Sequence, residues 1–227
     1  TSNNPPFYKF LLEENVPFYQ QLSDQNKLLF ENRLQQFIAC VKITGVNTTV
    51  EDLDKVLIAS SAIIPIFNFP LWEYNNLHEI LLYPDSFNHD FDQKGSGRNI
   101  LGMVGSGAMN HMMILSKSEL RQAFSNTTGK TNTGIHEFVH LVDKTDGSID
   151  GVPEIILQQK YILPWLQLMQ KEIEMIRNNE SDINPYGATS ESEFFAVVSE
   201  YFFERPALLA QKHPELYVLL NKIFSVK

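Results

Sequence analysis

The sequence predicts an α+β protein, mainly helical with a small sheet. Three observations carry that expectation. Apolar residues recur at steps of three and four through several segments, the first being Leu28, Leu29, Leu34, Phe37, Ile38 and Val41. The runs that read as strands are short and bounded by turn residues: Ile80-Leu81-Leu82-Tyr83, closed by Pro84-Asp85, and Met112-Met113-Ile114-Leu115. The composition, 43% hydrophobic and 20% charged over 227 residues, is that of a packed domain and excludes wholesale disorder. Residues 1–227 are expected to form one domain, with a helical part over 1–70 and a sheet plus further helices over 71–227.

The elements follow in order. Between Pro6 and Val50 the spacing is helical. Thr49, followed by Val50, Glu51 and Asp52, reads as a helix start with acids in the first turn, and that helix should run through Leu57, Ile58 and Ala62 and stop near Pro65. After the first strand, the polar, glycine-containing stretch His89–Gly107 reads as a loop with a short strand around Ile100 to Val104. A helix should begin near Ser118-Glu119, another should span Thr133 to Asp143, and Asp146–Gly151 reads as a loop. Pro153 suits the first turn of a long helix reaching Asn178, disturbed at Pro164. Ser190 should cap a helix over Glu191–Glu204 that Pro206 stops, and Pro214 should open the last helix.

Charge and cysteine content narrow the function. With 18 Lys+Arg against 27 Asp+Glu the net charge is −9, which argues against a nucleic-acid partner. One cysteine, Cys40, excludes an internal disulfide framework and a Cys-rich metal module; its apolar helical neighbours suggest a core position. No run of about 18 apolar residues exists, so no transmembrane segment is expected in this chain. A cytoplasmic location is expected. The chain opens on Thr1 rather than Met, which leaves a preceding signal or anchor open.

The motif that carries chemistry is His136-Glu137-Phe138-Val139-His140, or HExxH. Histidines at i and i+4 lie one turn apart on one helix face, where their imidazoles can converge on one zinc ion. Glu137 is the natural general base for a zinc-activated water. A catalytic site needs a third protein ligand. His78, His89, His111 and His213 are scattered and read as surface or loop residues. The segment Ser190–Glu200 offers Glu191, Glu193 and Glu200. Glu191 suits the helix dipole in the first turn. Glu193 and Glu200 are seven residues apart on one largely apolar helix face, where a carboxylate is costly unless paired or metal-bound. Asp143 is placed to orient a ligand imidazole or to compete as a ligand.

At these residues the sequence resembles the Mlc titration factor A-type zinc peptidases. The resemblance rests on Ile135–Asp143 around HExxH, on Gly151-Val152-Pro153, and on Tyr186-Gly187-Ala188-Thr189 with Glu193-Phe194-Phe195-Ala196-Val197-Val198-Ser199-Glu200-Tyr201-Phe202-Phe203. Upstream it includes Leu57-Ile58-Ala59 and Ile80–Phe87, and it covers roughly residues 25–225. That family is similar in its catalytic core to the anthrax lethal factor protease domain. The resemblance implies a zincin-like metalloprotease fold of gluzincin type, with His136, His140 and Glu193 as zinc ligands, Glu137 as base and Tyr186 as an oxyanion donor. About 10 Å of helix axis separates Glu193 from Glu200, so only one reaches the ion; Glu200, like Asp143, is then expected to support the ligands from behind.

The expected function is a zinc-dependent peptidase acting on a peptide or protein, bound as an added strand at a sheet edge near Met112–Leu115. The alternative is a regulatory module that sequesters a transcriptional regulator, with peptidase activity secondary. A purely structural zinc site is disfavoured, because Glu137 would then have no task.

Overall fold

Most helices begin at a residue with a chemical reason to begin one. The computed structural model describes residues 6–75, 77–85, 102–104, 111–154 and 156–225. Among them, Ser23 caps α3 (Asp24–Cys40), Ser116 caps α5 (Lys117–Ser125) and Ser190 caps α8 (Glu191–Glu204), each hydroxyl accepting a first-turn N–H. Asn132 does the same for α6 (Thr133–Asp143). Proline stands in the first turn of α2 (Pro17–Gln20), α9 (Pro206–Lys212) and α10 (Pro214–Phe224), where its missing N–H costs nothing. The remaining helices are α1 (Pro6–Asn15), α4 (Asp52–Ile66) and α7 (Gln159–Arg177). The protein is α+β and mainly helical, as expected.

The chain divides into two compact units, Thr1–Phe67 with Leu71–Thr127, and Asn68–Pro70 with Thr128–Lys227. The first unit holds the sheet, in the order β1 (Lys42–Gly45), β2 (Glu79–Tyr83), β4 (Met112–Ser116), β3 (Gly102–Val104). β1, β2 and β4 run parallel, with Ile43 opposite Ile80 and Ile80 opposite Met113; β3 is antiparallel to β4. α4 is buried on every side from Val56 to Ile66, and that stretch is apolar but for Ser60 and Ser61. In the second unit the same role falls to α8, buried from Phe194 to Tyr201. α7 lays Trp165, Leu168, Met169, Ile173 and Ile176 inward, a helical stripe. The Trp165 ring lies 6.0 and 5.8 Å from those of Phe194 and Phe195.

Several local expectations are corrected. Residues 6–50 are not continuously helical: Val16 and Gln21-Leu22-Ser23 separate three helices, and β1 follows them. α4 is capped by Glu51 rather than Thr49, through a reciprocal box with Asp54. Pro65 sits inside the last turn of α4, and Pro164 inside α7 without ending it. Pro153 opens a separate turn, its carbonyl accepting from Ile156 and Leu157, and α7 starts only at Gln159. The strand at 112–116 is flanked by β2 and β3, so it is not a sheet edge able to receive an added strand. Cys40 is exposed: it follows Leu34 by six residues, about 240° further around α3 from that buried face. The loop assigned to 89–107, apart from β3, lies outside the described residues, as does His89. No helix among the described residues is long and apolar enough to cross a membrane.

Candidate metal centre

The site is built by two helices of the second unit. On α6, Ile135, Phe138, Val139 and Val142 are buried, which fixes the rotation of the helix and leaves His136 and His140 side by side at the rim. On α8, the Ser190 hydroxyl accepts the Glu193 N–H at 3.2 Å and holds Glu193 in the first turn. The two helices meet so that Glu193 Oε2 lies 2.9 Å from His136 Nε2 and 3.4 Å from His140 Nε2. The two Nε2 atoms are 3.1 Å apart. His136, His140 and Glu193 thus form a group able to hold a metal ion.

Glu200 stands two turns further along α8. Its Oε1 lies 2.6 Å from His136 Nδ1, the nitrogen facing away from the triangle. With Nδ1–H donated to that carboxylate, Nε2 is the ring nitrogen left facing Glu193 and His140, the one a metal would take on displacing its proton. Its other oxygen accepts the Asn132 backbone N–H. The electrostatics are mutual. Burial would lower the His136 imidazole, but Glu200, Glu193 and Glu137 outweigh it and raise it well above the ordinary histidine value. Burial raises the Glu193 carboxyl, but hydrogen bonds from the two imidazoles hold it far below the usual carboxylate range.

Glu137 points the other way around α6 from the apolar stripe and is buried; that burial holds its carboxyl above the ordinary carboxylate range, against the pull of the two histidines. Tyr186 lies in a 3-10 turn, Pro185–Ala188, capped by Asn184, whose side chain accepts the Tyr186 N–H. The residue is 52% exposed, and its ring centroid is 6.0 Å from that of His136. Partial burial and the nearby carboxylates of Glu193 and Glu137 raise its phenol, which keeps it protonated and able to donate. Asp143 is wholly buried, and its Oδ2 accepts the N–H of Gly151, in the loop after α6, at 2.8 Å.

Two residues of this neighbourhood carry no obvious sequence signal. Asn132 is wholly buried, and its side-chain amide donates to Glu204 Oε1 at 2.8 Å. Burial, opposed by that hydrogen bond, and the charge of Glu200 push Glu204 up to about 7. His213, read above as a surface or loop residue, is buried, with Nδ1 3.1 Å from Glu172 and Nε2 2.8 Å from Asp182.

A helix pair that brings two imidazoles and a carboxylate together beside a buried glutamate fits the metallopeptidase class, and the family comparison agrees. The chain matches the model of the glucose-regulated metallo-peptidase M90 family over residues 2–225, and it belongs to that family. It is 30% identical to an uncharacterized protein of Synechocystis sp. over 98% of this chain and 85% of that one. It is 24% identical to the Mlc titration factor A of Pectobacterium atrosepticum over 92% of this chain and 83% of that protein. The corresponding protein of Serratia proteamaculans is 30% identical over 71% of this chain and 65% of its own length.

Proposed function

We propose that the chain is a zinc-dependent peptidase in which His136, His140 and Glu193 hold the ion and Glu137 is the general base. One observation carries the metal site: the three donor atoms stand 2.9, 3.1 and 3.4 Å apart. Tetrahedral coordination at zinc's usual ligand distances of about 2.0–2.1 Å has edges of about 3.3 Å, so an ion fits the triangle with adjustments of a few tenths of an ångström. Two nitrogens and one carboxylate oxygen form a donor set typical of catalytic zinc and leave a coordination position for water.

When bound, the ion would polarise the scissile carbonyl and make water a nucleophile near neutral pH. The chain's own groups do the rest. Glu137, its carboxyl raised by burial, is suited to take the proton of the attacking water and to pass it to the leaving amine. Tyr186, exposed and protonated, is placed to donate its phenolic hydrogen to the oxygen that becomes negative. Glu200 keeps the His136 ring in one orientation throughout. The substrate is a peptide or protein. The alternative reading, sequestration of a transcriptional regulator, draws on the name of the Mlc titration factor A relatives alone.

Glu137→Gln tests the proposal. It should retain zinc and the wild-type melting temperature while losing cleavage of a fluorogenic peptide by at least about 100-fold, the lower end of what a general base contributes. Wild-type turnover in that variant would remove Glu137 from the mechanism.

A further inference from the structure

Asn132 uses all four of its polar atoms: two close the start of α6, and two reach carboxylates of α8. Its Oδ1 accepts the Ile135 N–H at 3.1 Å, the capping bond of the helix that carries both histidines. Its carbonyl accepts the His136 N–H at 2.9 Å. Its own N–H goes to Glu200 Oε2, the carboxylate whose other oxygen holds His136 Nδ1. Its Nδ2 donates to Glu204 at 2.8 Å, one helical turn beyond Glu200 on α8. The cap alone does not call for asparagine, since serine, threonine or aspartate would serve. The fourth contact does. Aspartate has no donor for Glu204, and a serine hydroxyl is too short to cap Ile135 and also reach Glu204.

We propose that Asn132 and Glu204 form a positioning bridge that locks the start of α6 to the second half of α8, and so sets the register in which His136 and His140 face Glu193. This rests on the zinc reading above and extends it to two residues that touch no ligand atom of the ion. With the bridge in place, Glu200 receives one fixed donor from the backbone and presents its free oxygen to His136. Without it, Glu200 is free to turn, and His136 loses its orientation.

The test measures zinc affinity by competition with a chromophoric chelator at pH 8, where Glu204 is ionised. It also records the visible spectrum of the cobalt(II)-loaded protein, which reports ligand geometry. Both are taken well below the melting temperature of every variant. Asn132→Asp keeps the cap and loses the donor; Glu204→Leu removes the acceptor; Glu204→Gln keeps an oxygen for Asn132 and is the conservative control. Asn132→Asp and Glu204→Leu should each weaken zinc binding about 10–100-fold and alter the cobalt bands, as expected for groups that orient ligands. The double variant should be no worse than either single, and Glu204→Gln should stay within about threefold of wild type. Wild-type affinity and spectrum in both Asn132→Asp and Glu204→Leu overturn the bridge while the zinc reading stands. A wild-type protein that binds neither zinc nor cobalt overturns both.

Discussion

Two glutamates on one face of α8 take different parts because of what stands opposite each. Glu193, in the first turn, meets the outward nitrogens of both histidines; Glu200, two turns deeper and buried, meets the inward nitrogen of one. Periodicity places both on the same face and does not choose between them. The choice comes from the rotation of α6, which directs Nε2 of each ring toward the first turn of α8. Glu193→Gln should therefore abolish tight zinc binding, because the amide is a far poorer ligand than the carboxylate. Glu200→Gln should weaken it about 10–100-fold, the usual cost of disturbing a group behind a ligand. Zinc titrations of the two variants check this, and the reverse order of severity would exchange their roles.

At the scale of elements, the loop that joins α6 to α7 also links α6 to α8. Gly151 sits at φ +76°, its N–H bound to Asp143 at the end of α6. A Cβ there would lie 2.3 Å from the Glu191 carbonyl at the start of α8, and the Gly151 carbonyl accepts the Trp165 indole N–H at 2.7 Å. One residue thus touches α6, α7 and α8, and only glycine permits the approach. Gly151→Ala should cost at least about 2 kcal/mol from backbone strain and the clash, read by urea unfolding. An unchanged midpoint would mean that the loop yields freely.

The same elements show what could be read in advance. α6 and α8 were legible because their signals are local: histidines at i and i+4, a serine cap, and an apolar face. β1 was not, because its four residues, none of them buried, gain strand character only by pairing with β2, Ile43 against Ile80. α9, seven residues long, is too short to show a helical period. Asn132 carries no local signal of its role, since the carboxylates it bridges lie 68 and 72 positions along the chain. The resemblance singled out Glu193 where the residues alone left Glu200 equally open.

Across the whole molecule the charge balance is acidic, and the buried charges are arranged in clusters with identifiable dependence on pH. Outside the metal centre the clearest is His213. The hydrogen bond to Glu172 raises its imidazole; burial works against this and Asp182 adds to it. Asp182 in turn accepts from Lys130, Lys212 and Tyr201. Because the folded value of His213 lies above its unfolded one, its contribution to stability is complete below about pH 6.5 and is lost as pH rises through the folded value. Melting temperatures between pH 6 and 9 should therefore fall more steeply for wild type than for His213→Gln; parallel curves would show that His213 does not titrate as described.

The proposed site requires that the metal sit between α6 and α8 and be zinc. The most direct measurement is an anomalous difference map from crystals of the zinc-loaded protein, recorded above and below the zinc absorption edge. One strong peak per chain is expected, within about 2.0–2.2 Å of His136 Nε2, His140 Nε2 and a Glu193 carboxylate oxygen. A peak held by other residues, or none at this triangle, would contradict it.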